Sequence, residues 1–242
     1  MSYTVDGYIT DRPVAANALP AERVGFIRRT YAHLVASILA FAGIEALLLR
    51  TSLGEDFIQM IFARGGNVGL LLIMALFIGG GYLARYWAHA ATTRAMQYAG
   101  LALYIALEVI IFLPLLYVAD HYFAGQYVIQ KAGILTLTIF TGLTLAVFLT
   151  RQDFSFLGPI LAVISFGALG VIICAMLFGF SLGLWFSFAM VGLAAAYIIY
   201  DTSNVLHNYR TDQHVGAALE LFASVALMFW YILRIFMSER RN

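Results

Sequence analysis

Five ionisable residues interrupt the long apolar runs of this sequence. Glu45, Glu108, Asp201, Glu220 and Arg234 each lie among residues that are almost entirely hydrophobic. An ionised carboxylate in hydrocarbon is costly, so such a group must face a protein interior, pair with a cation or carry a proton. These residue types in this setting indicate proton or cation chemistry inside a bundle of helices.

Asp201 and Glu220 are the first candidates for such chemistry. A short loop separates their two apolar runs, so the two carboxylates are able to approach each other. Two carboxylates that share one site titrate as a coupled pair and form a pH sensor or a cation ligand. The alternative is that both lie at the membrane interface and are hydrated. Glu108 lies in the middle of its run with no partner evident from the sequence, whereas Glu45 falls near the outer end of its run.

The pentapeptide GFSLG at 179–183 matches the G-x-S-x-G elbow of serine hydrolases. That elbow requires a strand before the serine, a helix after it and a histidine base nearby. Here the pentapeptide joins two apolar runs, over 157–178 and 184–206, that contain no histidine. A tight turn is therefore the favoured interpretation of Ser181, and we predict that the protein is not an enzyme.

A second cluster of chemically able residues consists of His207, Asp212 and His214. Their spacing fits no standard zinc pattern, and the chain has no H-E-x-x-H motif, so a solvated loop is favoured over a metal site. Cys174 is the single cysteine and excludes both an internal disulfide and a cysteine-based zinc site. The chain also lacks a Walker loop and a dinucleotide fingerprint, so no cofactor is predicted.

Composition places the elements that carry these residues in a bilayer. Of the 242 residues, 62% are hydrophobic and 11% are charged, whereas a soluble domain carries about 25% charged residues. The net charge of +1 leaves no basic surface for nucleic acid. Because ~20 helical residues cross the ~30 Å hydrocarbon layer, the apolar runs predict an all-α, polytopic membrane protein. The seven predicted spans are 30–49, 68–87, 98–119, 133–150, 157–178, 184–206 and 217–236.

The ends of the chain are polar. We predict a flexible cytoplasmic tail over 1–22, a transmembrane domain over 23–238 and a short C-terminal tail over 239–242. The placement of Lys and Arg puts the N-terminus in the cytoplasm and, after seven spans, the C-terminus outside. The cytoplasmic segments then hold most of the basic residues: Arg12, Arg23, Arg28, Arg29, Arg85, Arg94, Arg151 and Arg210.

Several short motifs resemble the Bax-inhibitor family of transmembrane proteins, and most closely its bacterial YccA-like branch. They are IRRTY at 27–31, LTRQDFSFLG at 149–158, YDTSNVLH at 200–207, LELFASV at 219–225 and YILR at 231–234. The resemblance covers nearly the whole chain from about residue 23. It assigns a cytoplasmic motif with the candidate functional residues Arg151, Asp153, Thr202, Asn204 and His207.

The resemblance implies a bundle with the last span at its centre, and it implies two functions. One is a pH-sensitive calcium leak gated by paired aspartates on the sixth and seventh spans. Asp201 matches the first aspartate, but Ser224 occupies the position of the second, as in the YccA-like branch. Glu220 lies one helical turn before Ser224, so we hypothesise that it replaces the missing acid.

The second implied function is that of a modulator of the membrane-bound AAA protease FtsH, and the sequence favours it over a channel. In the YccA-like branch the cytoplasmic N-terminal tail is the handle that the protease grips, which makes Thr4, Asp6, Asp11 and Arg12 the handle candidates here. We therefore predict a multi-pass protein of the bacterial inner membrane, with the lipid bilayer and FtsH as partners. The alternative is the leak channel, with Ca²⁺ as the bound or transported ion.

Overall fold

The computed structural model describes residues 13–60, 66–89 and 93–238. Seven helices in these ranges are long and apolar enough to cross a membrane, and the short α2 is the exception. Outside helices, the described ranges contain a single isolated β-bridge, between Val14 and Arg210. The predicted all-α, seven-span class is confirmed. The helices are α1 (Pro20–Leu48), α2 (Ser52–Gln59), α3 (Gly66–His89), α4 (Arg94–Tyr122), α5 (Val128–Thr150), α6 (Leu157–Phe178), α7 (Leu184–His207) and α8 (His214–Ser238).

The last helix, α8, lies at the centre of the bundle. It packs against α1, α3, α4, α5 and α7, and 72% of its most apolar stretch is buried, compared with 11% for α6. Small residues at its start, Gly216, Ala217 and Ala218, are buried and allow neighbouring helices to approach closely. The predicted central position of the last span is confirmed, and the side chains of α6 mostly face outward, toward lipid.

The helix that carries the first span begins earlier than predicted. α1 starts at Pro20 rather than Thr30, because proline is well tolerated in the first turn and a helix can extend beyond the hydrocarbon layer. Hydropathy detects only the lipid-embedded part of such a helix. For the same reason hydropathy did not indicate the short helix α2, which lies between the first two spans.

The segment before α1 is anchored rather than free. The backbone N–H of Ala15 donates to the Tyr209 carbonyl at 2.8 Å, and that of Thr211 donates to the Pro13 carbonyl at 3.3 Å. Ala15 is fully buried. The predicted end of the flexible tail at residue 22 therefore lies too late in the chain. The rest of that tail, residues 1–12, and the predicted C-terminal tail over 239–242 lie outside the described residues.

The turn between α6 and α7 is formed by the G-x-S-x-G pentapeptide. Gly179 ends α6 with a φ of 73°, a left-handed conformation that glycine adopts without steric cost. Ser181 follows it as an exposed residue and leads directly into α7. A helix, not a strand, precedes this serine, so the pentapeptide lacks the geometry of a nucleophile elbow. The predicted tight helical hairpin is confirmed.

Candidate functional site

An ion pair joins α3 to the central helix. It lies at the end of the bundle where α1, α4, α6 and α8 begin, which we call the N-terminal end. Arg85 of α3 donates from Nε to both carboxylate oxygens of Glu220 on α8, at 3.0 and 3.1 Å. Its Nη2 also donates to the Tyr104 hydroxyl of α4 at 3.3 Å. The guanidinium carbon lies 5.0 Å from the centre of the Tyr104 ring. Arg85 therefore ties three helices together.

A second polar contact lies beside this ion pair. Ser224 of α8 donates a hydrogen bond from its hydroxyl to the Asp201 carboxylate of α7. Both residues are buried, with 6% of Asp201 and 4% of Ser224 exposed. The serine that occupies the position of the second family aspartate is thus the direct hydrogen-bond partner of the first.

Asp201 and Glu220 have separate partners, so the predicted pair of carboxylates does not share a hydrogen bond. Glu220 accepts from Arg85 while Asp201 accepts from Ser224. The two acids remain electrostatic neighbours. The hydrated-interface alternative does not describe Asp201, which is buried, whereas 22% of the Glu220 side chain is exposed.

Glu108 belongs to the same cluster. It is 4% exposed, and Tyr104 and Arg85 are its electrostatic neighbours. The sequence does not identify this partner, because an arginine near the end of an apolar run indicates membrane orientation and not a specific contact. The sequence feature that could have indicated this partner is that Arg85 lies inside the second predicted span, 68–87. The helix of that span continues to His89.

The charges of this cluster do not balance. Among the described residues, three carboxyl groups, those of Glu108, Asp201 and Glu220, lie around one guanidinium, that of Arg85. A buried ionised carboxylate without a counter-charge is unfavourable in a membrane protein. Neutrality therefore requires additional positive charge, which protons at the cluster or a passing cation would supply.

His89 and Tyr209 close the cluster toward the N-terminal end. The Nδ1 of His89 donates to the Arg85 carbonyl at 2.9 Å, and its Nε2 lies 3.3 Å from the Tyr209 hydroxyl. The same Nε2 lies 3.9 Å from Glu220. Burial, reinforced by the charges of Glu220 and Asp201, raises the pKa of Tyr209 well above its usual value. Tyr209 therefore remains a neutral hydroxyl beside His89.

The predicted cytoplasmic motif forms a loop between α5 and α6 that docks on α7. Asp153 accepts hydrogen bonds from the backbone N–H and the hydroxyl of Ser155, at 2.9 and 2.7 Å. These bonds lower the pKa of Asp153 and keep it ionised at neutral pH. The N–H of Phe154 donates to the Ser203 hydroxyl at 2.8 Å, which fixes the loop against the end of α7.

The other motif residues lie around this loop without joining the charge cluster. Arg151 ends α5 in a left-handed conformation and is exposed. His207 bonds through Nδ1 to the Ser203 carbonyl at 3.0 Å, and Asn204 accepts from Asn208 at 2.7 Å. Thr202 is buried, with Tyr31 of α1 as its polar neighbour.

The proposed metal ligands do not meet. His207 faces Ser203, Asp212 pairs with Arg210 at 3.2 Å, and the His214 ring lies 5.1 Å from that of His33. Within the described ranges no group of His, Cys, Asp and Glu side chains has the geometry to hold a metal ion. His207, Asp212 and His214 therefore do not have the ligand geometry that a metal site in this loop would require. The protease-handle candidates Thr4, Asp6, Asp11 and Arg12 lie outside the described residues.

Comparison with known proteins identifies the family. Residues 23–241 match the family model described as inhibitor of apoptosis-promoting Bax1. The chain belongs to the Bax-inhibitor family. The predicted family is confirmed, and the match includes every described residue of the charge cluster.

Relatives occur in plants and bacteria. Protein LIFEGUARD 3 of Arabidopsis thaliana is 27% identical over 97% of this chain and 94% of its own length. The uncharacterized proteins PA2604 of Pseudomonas aeruginosa and Cj0236c of Campylobacter jejuni are 28% and 30% identical, each over 92% of this chain and over 93% and 94% of their own lengths. No solved structure matches the chain significantly. These relatives support a multi-pass membrane protein, and the YccA-like branch stays a prediction.

Proposed function

We propose that this Bax-inhibitor family protein is a cation leak whose gate is the charge cluster of Arg85, Glu108, Asp201 and Glu220. The observation that carries the proposal is the excess of buried carboxyl groups over guanidinium groups beside the central helix. A purely structural cluster would be more stable with balanced charges, because an unpaired buried charge is costly. An acid-rich site inside a bundle is instead suited to a cation that passes through it.

Calcium is the ion that the family resemblance suggests, although in the described arrangement Glu108, Asp201 and Glu220 do not form an ion site. Ca²⁺ prefers carboxylate oxygens, and it accepts flexible coordination. In the described arrangement the Arg85 guanidinium binds the Glu220 carboxylate through two hydrogen bonds. A cation must compete with that guanidinium for Glu220, so the arrangement corresponds to a closed gate.

The leak is tested by calcium flux into liposomes that hold the purified protein. We expect flux near pH 6 and near pH 8 to differ, and Asp201→Asn to lower the flux at the more active pH by about tenfold, because it removes one buried acid. Asp153→Asn is the matched control, since this acid lies on an exposed loop outside the cluster. Flux no greater than in empty liposomes from folded protein, or equal flux in the two variants, would exclude the proposed gate.

We propose the modulation of FtsH as a second candidate function. The anchored segment before α1 favours it, because Pro13 is exposed whereas Ala15 is buried against the loop that precedes α8. Pro13, the first described residue, thus lies at the surface of the bundle. The handle candidates Thr4, Asp6, Asp11 and Arg12 precede this point in the sequence.

Turnover in cells tests this candidate. We expect deletion of residues 4–12 to lengthen the half-life of the protein severalfold in a strain that contains the protease, because the deletion removes the segment that the protease grips. Deletion of residues 239–242 is the control at the other end of the chain and should leave the half-life unchanged. Equal half-lives for the full-length protein and the 4–12 deletion would count against the handle.

A further inference from the structure

A basic cluster lies at the N-terminal end of the bundle, apart from the charge cluster. It combines Arg29 and His33 of α1 with Arg94 and Tyr98 of α4 and His214 of α8. The His33 and His214 rings are 5.1 Å apart, and His33 Nε2 lies 3.0 Å from the Tyr98 hydroxyl. Arg29 and Arg94 are both electrostatic neighbours of His214. Three helices thus bring their basic residues to one place.

The two arginines of this cluster have no acidic partner among the residues that the structure describes. In the described part of the chain, Arg85 pairs with Glu220 and Arg210 with Asp212, whereas neither Arg29 nor Arg94 forms an ion pair. Asp212 is the one acid that acts on His214, and Arg210 already neutralises it. Within residues 13–60, 66–89 and 93–238, the positive charge of the basic cluster is therefore uncompensated.

His214 supplies a second, independent indication of a ligand. It is only 7% exposed, and its Nδ1 is buried without a hydrogen-bond partner among the described residues. A buried polar atom of this kind normally has a partner, because leaving it unpaired is costly. His33 has no free ring nitrogen to offer the same ligand, because its Nδ1 already bonds to the Arg29 carbonyl at 2.7 Å and its Nε2 to the Tyr98 hydroxyl.

The chemistry and position of the cluster identify the ligand class. Two guanidinium groups with an imidazole donor suit a phosphate group, which accepts several charge-assisted hydrogen bonds. Tyr98 is 44% exposed, as is typical of aromatic residues at a membrane interface. Farther along α1 the exposed side chains are apolar, as at Val35 and Leu39. A ligand with a phosphate at the interface and acyl chains below it matches this surface.

We propose that Arg29, Arg94 and His214 bind the phosphate of an anionic phospholipid headgroup. Basic pockets between membrane helices bind such headgroups by the same physical principle. The lipid would join α1 and α4 to the central helix from the membrane side. Free phosphate shares the recognised chemistry but lacks the acyl chains that the apolar face of α1 would contact.

Selectivity for an anionic lipid tests this site. The full-length protein is placed in phosphatidylcholine bilayers, and its relative affinity for spin-labelled phosphatidylglycerol over spin-labelled phosphatidylcholine is measured. We expect the double variant Arg29→Gln, Arg94→Gln to lose about tenfold of this selectivity, which corresponds to about 1.4 kcal/mol. Both arginines are exposed, so circular dichroism and elution volume should be unchanged.

The double variant Arg28→Gln, Arg151→Gln is the matched control, because it removes the same charge from exposed residues at the same end. It should retain the selectivity within about twofold, because it weakens the general attraction to anionic lipid by the same charge but leaves the headgroup site intact. Equal losses in the two double variants, or no loss in either, would overturn the headgroup site. Stabilisation of the detergent-solubilised protein by inorganic phosphate, without lipid selectivity in the bilayer, would overturn the lipid assignment in favour of a free anion.

Discussion

Gly100→Ala is expected to lower the free energy of unfolding by about 3 kcal/mol, at the upper end of the usual cost of overpacking. A Cβ atom at this position of α4 would lie 2.5 Å from the Ala84 carbonyl oxygen and 2.6 Å from the Ala88 nitrogen. Both are backbone atoms of α3, so no side-chain rotation relieves the clash and the two helices must separate. Separation would also move Arg85 away from Tyr104.

Gly79→Ala is the matched control for this prediction. Gly79 lies in α3, and a Cβ atom there would have no neighbour within 4 Å. Because alanine is favoured over glycine in a helix by about 1 kcal/mol, this variant should be as stable as the original protein or more so. Unfolding in a denaturant series in detergent compares the two. Equal midpoints would mean that α3 and α4 do not pack as closely as described.

Hydropathy was sufficient for the membrane architecture. A bilayer requires a spanning helix of nearly fixed length, so each span leaves a continuous signal in the sequence. The fifth span, 157–178, was predicted with the bounds of α6. Because α6 faces lipid on most sides, the bilayer determines which residue types it contains, and contacts with other helices have little influence. α1 deviated because its first turns lie beyond the hydrocarbon, where hydropathy carries no signal.

The contacts of the site were less predictable, because hydropathy does not determine the rotation of one helix against another. Arg85 and Glu220 are separated by most of the chain, and only the packing of α3 on α8 brings them together. For Ser224 and Asp201 the sequence provides only a match to the positions of two family aspartates, and it does not predict the hydrogen bond between them. The burial of Ala15 could not be predicted either, because a short polar segment next to a proline has no periodicity that would indicate docking.

Substitution of the two partners of the ion pair is expected to change cation flux in opposite directions. Arg85→Gln leaves three acids without a guanidinium, so it should raise the flux. Glu220→Gln leaves the Arg85 charge unpaired beside Asp201 and should lower the flux, because an unpaired guanidinium repels a cation. One charge about 4 Å from the path changes the energy of a monovalent cation by about 4 kcal/mol at an effective dielectric constant of ~20, so each substitution should change the flux by at least about tenfold.

The opposite signs distinguish a gate from a structural contact. Both variants lose the same hydrogen bonds between α3 and α8, so any destabilisation of the bundle would change the flux in the same direction in both. The pair Arg210–Asp212, whose side chains are 31% and 33% exposed, provides a control outside the cluster, and Arg210→Gln and Asp212→Asn should each change the flux less than about twofold, as expected for a pair that solvent partly screens. Flux that rises in both cluster variants would mean that the ion pair only holds the helices together. Flux that rises with Arg85→Gln and falls with Glu220→Gln would mean that the cation passes close enough to this pair to respond to the charge of each partner.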